Sequence, residues 1–230
     1  MRYRVSCWAL QKNNAMMTKI ILVRHGYSVT NAAKRYTGQA DVPLTDVGRA
    51  QAEQIADYLI AHERIDAVYA SDLSRAMDTA RPTAARFGLT VTPVRELREL
   101  AMGIWEGMRF EDVARDYRDV LLLRERDYTY PCPGGESFAE LYARISGAIT
   151  RLARENEGKC IMLVSHGGAV RTARCMAAGD GPQHAQHYPS SENAAISIYC
   201  FENDRLTLLQ ENITAHLKLP DTPSAPPQLY

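Results

Sequence analysis

The stretch IILVRHGYSVTN, residues 20–31, runs from four aliphatic side chains straight into an arginine, a histidine and a glycine. An uninterrupted apolar run of this length, closed by turn-forming residues, fits a strand buried on both faces of a sheet. In open α/β sheets the ligand crevice lies beyond the carboxyl ends of such strands. Arg24 and His25 therefore fall where an anion could be met, with Gly26 letting the chain turn away and the Asn31 amide a few residues on.

Outward from this strand, apolar runs alternate with stretches of helical period, the pattern of an α/β domain. Thr45 or Asp46 can cap a helix whose Ala52, Ile55, Ala56 and Leu59 share one face. Residues 67–70 read as a second strand. Ser71 or Asp72 can cap a helix running to about Phe87, with Gly88 placed to end it and Pro82 expected to kink or break it near Arg81. Residues 91–94 read as a third strand and 110–126 as one charged helix. Ser137 and Glu140 have capping-box spacing ahead of a helix that aligns Leu141, Ile145, Ala148, Ile149 and Leu152. Residues 160–164 form another buried run, ending in Ser165-His166-Gly167-Gly168, and 195–201 with 206–209 read as a hairpin at the sheet edge.

The chain has 230 residues, 46% of them hydrophobic, enough for one sizeable core. Lys and Arg (27) balance Asp and Glu (27), so neither nucleic acid nor a membrane surface is an expected partner through bulk charge. Cys7, Cys132, Cys160, Cys175 and Cys200 are scattered, odd in number and never paired as CxxC, which points to reduced thiols and a cytoplasmic setting. His184 and His187 stand three apart, but no neighbouring cysteine or carboxylate completes a metal site. His62 and His216 read as structural or exposed. Residues 1–18 are expected to be a disordered extension, with Met16 or Met17 as the candidate native start, and the proline-rich residues 218–230 a disordered tail. Residues 19–217 would then be one domain. No stretch approaches the ~20 apolar residues of a membrane span.

Two histidines, His25 and His166, each follow a buried run and each precede a glycine. The chain between and around them carries further motifs: Asn31, residues 38–48 (GQADVPLTDVG), residues 71–76 (SDLSRA) with Thr79-Ala80, residues 97–107 (LRELAMGIWEG), residues 133–137 (PGGES) and residues 165–168 (SHGG). In this order the chain resembles the histidine phosphatase superfamily, also called phosphoglycerate mutase-like, over roughly residues 19–217. The resemblance implies a three-layer α/β/α sandwich with a mostly parallel sheet and an edge hairpin. It also implies a metal-independent phosphohistidine mechanism that needs no cofactor. By motif position His25 would be the nucleophile. Arg24, Arg75 and His166 would surround the phosphoryl group, with Asn31 as a further donor, and Glu99 would donate the proton. Gln39 and Gly167 are candidate substrate contacts, while Trp105 reads as core.

Physical chemistry supports the same cast. A phosphoryl group in transfer spreads charge over its equatorial oxygens, so positioning and cationic donors carry most of the catalysis. A unit charge pair at about 4 Å is worth roughly 4 kcal/mol at an effective dielectric near 20. Two flanking arginines would also favour neutral His25, the form that attacks phosphorus. Glu96 and Glu106 rival Glu99 by proximity alone, and only the motif register selects Glu99.

The expected activity is phosphomonoester hydrolysis of a small phosphorylated metabolite. Gln39 stands where the mutases of comparison usually have Trp, and the compact segment 107–165 lacks their long basic insertion. The chain in this respect looks like the phosphatase branch that includes α-ribazole phosphatases and broad-specificity phosphatases. A cofactor-dependent phosphoglycerate mutase is the alternative, kept open by Lys34, Arg124 and Arg126 as grips for a second acidic group. A catalytically silent phosphate-binding module is the remaining reading. Leaving-group recognition is expected from residues 110–130 and 183–188, with Tyr117, Tyr128, Tyr130 and Tyr188 as candidate rim. The edge hairpin offers a surface for a homodimer.

Overall fold

Every residue of the first strand, β1 (Thr18–Arg24), is buried, as its apolar run requires of a strand covered on both faces. The computed structural model describes residues 17–185 and 187–218. The expected N-terminal extension lies outside them except for Met17 and Thr18, which are buried against the domain, and the expected tail lies outside them except for Lys218. After β1 come α1 (Val29–Ala32), α2 (Asp46–His62), β2 (Ala67–Ala70), α3 (Ser74–Arg86), β3 (Val91–Pro93), α4 (Phe110–Asp116) and α5 (Arg118–Arg126). The chain continues through α6 (Phe138–Glu155), β4 (Cys160–Ser165), α7 (Gly167–Ala178), α8 (Pro182–Ala185), β5 (Ile196–Glu202) and β6 (Arg205–Ile213).

The sheet order is β3-β2-β4-β1-β5-β6. The pairings β3 with β2, β2 with β4 and β4 with β1 are parallel, while β5 runs antiparallel to β1 and to β6. The expected edge hairpin is thus present, turning on Asn203 and Asp204 with φ of 50° and 59°, the left-handed pair of a type I′ turn.

Strand periodicity divides the core into two layers. Ile20 and Leu22 join Leu141, Ile145 and Ile149 of α6 and Val170 of α7 on one face. Ile21 and Val23 join Ile55 and Leu59 of α2 and Ala76, Ala80 and Ala84 of α3 on the other. The result is an α/β/α sandwich, in which an apolar run without alternation serves both faces at once.

Local chemistry explains most helix ends and corrects three expectations. Thr45 caps α2 through the Gly48 amide, and Ser137 with Glu140 forms the expected capping box of α6. Helix α3 starts after Leu73, not at Ser71 or Asp72. Its first amide, on Ser74, is capped by the Asp41 carboxylate at 2.7 Å from another part of the chain, while Asp72 pairs with Arg98. The helix runs unbroken through Pro82 and ends at Gly88 (φ +67°), where the Gly88 and Leu89 amides close on the Ala85 and Ala84 carbonyls as a Schellman motif. The single helix expected over 110–126 is two, because Tyr117 leaves helical geometry (φ −124°, ψ 27°). There Tyr117 turns its ring edge-on to buried Trp105 at 5.7 Å, so packing overrides propensity.

Candidate active site

The register of β1 on β4 sets Arg24 against Ser165, and the His25 amide continues the ladder to the Ser165 carbonyl at 2.9 Å. His25 and His166, far apart in sequence, are thereby delivered to neighbouring strand ends with ring centroids 5.1 Å apart. Gly26 is required by close approach rather than by a special φ. A Cβ there would stand 2.6 Å from the Gly48 carbonyl oxygen, where the start of α2 passes.

His25 Nδ1 lies 2.7 Å from the Gly26 carbonyl oxygen. A carbonyl only accepts, so Nδ1 carries the proton and Nε2 keeps its lone pair. Burial, followed by the Arg75 and Arg24 charges, drives the His25 pKa well below the ordinary imidazole value, against a smaller opposing push from the Gly26 carbonyl. His166 is fully buried and likewise held neutral, by burial first and then by Arg75. Neither of its ring nitrogens meets a hydrogen-bond partner within the described residues. Two unmatched buried nitrogens beside two guanidiniums suit a site built for a polar anion.

Arg75 enters from the first turn of α3 and is 1% exposed. Its Nη1 and Nη2 donate to the Ala40 and Gly38 carbonyls at 2.9 and 2.8 Å, so the 38–41 loop aims it. Burial pulls its pKa down to about 10, which leaves it charged at neutral pH. Arg24 donates to Ser190 Oγ and to the Ser191 carbonyl. Asn31 accepts on Oδ1 from the Ser28 amide and hydroxyl and from Asn193 Nδ2, which leaves its amide nitrogen as the end that can donate to a ligand.

Glu99 lines the same cleft. Its Oε1 accepts from the amides of Leu100 (2.9 Å) and Gly168 (3.0 Å), so the carboxylate sits on the N-terminus of α7, whose first residues have no side-chain cap of their own. The two rivals of Glu99 by sequence proximity are placed elsewhere. Glu96 lies at the surface with Arg151, and Glu106 is spent on the Gln39 and Met102 amides. Arg24, His25, Asn31, Arg75 and Glu99 line one cleft of about 590 Å³, including its open mouth.

Other expectations shift. The Gln39 side chain donates to the Glu99 carbonyl at 3.1 Å and does not line the cleft. Gly168 faces the cleft, and Gly167 packs against Ser190. Arg124 is no grip for substrate, because it is 2% exposed and lies over the rings of Trp105 and Phe138 at 5.6 and 5.3 Å. Of the regions expected to recognise the leaving group, only Phe110 reaches the cleft among the described residues. Tyr117 and Tyr128 pack on the core, and Tyr188 is tied to Asp180. The cleft lining is instead completed by Arg35, Met102, Phe110, Phe138, Leu141 and Arg171, among others. Sequence reasoning passed over Arg35 and Arg171. The three-residue step from Gly168 to Arg171, which places both on one face of a helix opening at the site, was the available signal for the second.

His184 and His187 have ring centroids 6.3 Å apart, and no group of three His, Cys, Asp or Glu placed for a metal ion occurs among the described residues. No helix among them is long and apolar enough to cross a membrane.

A neutral buried histidine, two guanidiniums and a carboxylate lining one cleft at the strand ends of an α/β sandwich make a site suited to an anion. Comparison with known sequences agrees: the profile of the histidine phosphatase superfamily (branch 1) matches residues 20–214, and the chain belongs to that family. It is similar to Phosphoglycerate mutase-like protein 4 of Arabidopsis thaliana, 32% identical over 205 residues that cover 87% of each chain. It is equally similar to Phosphoserine phosphatase 1 of Hydrogenobacter thermophilus, 32% identical over 202 residues covering 87% of this chain and 95% of that one. Among solved structures it resembles a mycobacterial glucosyl-3-phosphoglycerate phosphatase complexed with VO3, with a TM-score of 0.78 and 27% identity over 85% of this chain and 99% of the other.

Proposed function

We propose that the protein hydrolyses small phosphomonoesters through a phosphohistidine formed on His25. The observation that carries this reading is the His25 Nδ1 contact to the Gly26 carbonyl, which leaves Nε2 as a nucleophile beside Arg24, Arg75 and His166. Nε2 attacks phosphorus, the bond from phosphorus to the ester oxygen breaks, and Glu99 gives its proton to the leaving oxygen. The Glu99 carboxylate then takes a proton from water, whose oxygen attacks the phosphoenzyme. The P–N bond breaks and neutral His25 returns with inorganic phosphate. Arg24, Arg75, protonated nitrogen on His166 and the Asn31 amide hold the equatorial oxygens. No step calls for a metal or cofactor.

The substrate class is a small phosphorylated metabolite, consistent with the cleft's size and with relatives named for phosphoserine and glucosyl-3-phosphoglycerate. The free cysteines among the described residues support a cytoplasmic location, which fractionation with an oxidised compartment as reference would test. Edge strand β6 supports a homodimer, and sedimentation that gives 25.7 kDa at every concentration would remove that idea.

The deciding assay is chelator-treated turnover of a phosphomonoester panel that includes 3-phosphoglycerate with and without a bisphosphoglycerate primer. Release of inorganic phosphate is expected. Primer-dependent interconversion of phosphoglycerates without release would replace hydrolysis by the mutase reaction, which the mutase-like relative makes worth measuring.

A further inference from the structure

The loop that carries Glu99 is held in an unusual way. Each consecutive carbonyl from Glu96 to Glu99 accepts a hydrogen bond from a side chain. Arg144 Nη1 donates to the Glu96 and Arg98 carbonyls, both at 2.8 Å, and Ser165 Oγ donates to that of Leu97 at 2.6 Å. The Glu99 carbonyl accepts twice, from Arg144 Nη2 and from Gln39 Nε2, each at 3.1 Å. Arg144 thus grips three of the four carbonyls from one position on α6.

Arg144 is itself aimed by a bidentate pair with Glu136, Nε to Oε1 at 2.9 Å and Nη2 to Oε2 at 2.7 Å. The same Glu136 Oε2 accepts the Ala101 amide at 2.9 Å, and the Glu136 amide donates to the Ala101 carbonyl at 2.9 Å. The pair therefore brackets Glu99, holding the backbone before it through Arg144 and the backbone after it through Glu136. Both side chains are about one-fifth exposed, so the charges keep partial hydration and the pair escapes the full desolvation cost of a buried one. Neither residue lines the cleft.

We propose that Glu136 and Arg144 form a positioning pair that fixes the Glu99 carboxylate against the N-terminus of α7, in the cleft it shares with His25. This inference rests on the reading of Glu99 as proton donor. A fork with fixed geometry is needed because three carbonyls are held at once, which a lysine's single ammonium cannot reproduce. An acid displaced by about 1 Å loses much of its advantage, on the order of a hundredfold.

The readout that separates positioning from simple stability is leaving-group dependence. An alkyl phosphate needs its departing oxygen protonated, whereas 2,4-dinitrophenolate leaves without help. The value of kcat/KM reports steps through phosphoryl transfer to His25, before water enters. For Arg144→Gln, kcat/KM on phosphoserine or 3-phosphoglycerate is expected to fall at least tenfold further than on 2,4-dinitrophenyl phosphate. Arg144→Lys should lie closer to Arg144→Gln than to wild type. Glu136→Gln, which preserves volume, should show the same split and serves if Arg144→Gln does not fold. Equal losses on both esters in these variants would overturn the proposal, provided that Glu99→Gln shows the split. Should Glu99→Gln also lose equally on both, the proton-donor reading itself fails.

Discussion

His25 shows how one hydrogen bond can fix a tautomer. Gly26 offers only a carbonyl, so the imidazole must spend its proton there and present the other nitrogen bare. Burial and two arginines then keep that nitrogen unprotonated. The sign of the resulting pH dependence follows. An unfolded histidine binds its proton near pH 6.5, while His25 and His166 in the fold resist it until lower pH. Between those values the unfolded chain binds more protons, so their contribution to stability is present above about 6.5 and is lost as pH falls below it. Protonation would also remove the proposed nucleophile. The acid limb of a kcat/KM profile should therefore lie below pH 6.5. A limb centred at or above that value would contradict a neutral buried His25. Before the structure, the arginine-histidine pair could be recognised as an anion site, but the tautomer could not, since it depends on how the next peptide is turned.

At the scale of elements, two short connections and two helix starts build the cleft. Arg75 is aimed by carbonyls of the 38–41 loop, and Glu99 is seated on the first amides of α7. The seat is tight: a Cβ on Gly168 would come 2.4 Å from Glu99 Oε1 and 2.8 Å from Leu141 Cδ2. Gly168→Ala should consequently push the carboxylate aside and lower kcat on alkyl phosphates by about tenfold or more. Unchanged kcat, measured with thermal melting as a check on folding, would show that Glu99 need not sit there. Capping signals close in sequence were legible, as Thr45 and the Ser137-Glu140 box show. The cap of α3 was not, because Asp41 reaches it from 33 residues away and leaves Asp72 to Arg98. The break at Tyr117 was hidden for a similar reason, since its cause is a ring contact with Trp105.

At the scale of the molecule, the sheet converts sequence distance into contact. Parallel pairing of β1 with β4 brings together two histidines 141 residues apart, and the order of apolar runs was sufficient to anticipate this crevice. What lay beyond sequence was the rest of the cleft lining. The tyrosines expected there turned to the core or surface, and Arg124 became part of the packing under Trp105. The Arg24 and Arg75 cations lining a folded cleft should bind phosphate only in the native state, so phosphate should raise the melting temperature. At a concentration a hundred times Kd the gain is about 2.7 kcal/mol by linkage. Arg75→Gln should abolish most of the increase. A phosphate-induced rise that is equal in wild type and Arg75→Gln would place the anion elsewhere.

A phosphoryl group carried on His25 can be trapped on the protein. Protein mixed with a labelled phosphomonoester and quenched within a single turnover should retain phosphate that is stable to base and lost in acid, on wild type and not on His25→Ala. Label of the same stability on His25→Ala, or steady turnover with none trapped on wild type and full activity in His25→Ala, would contradict the account.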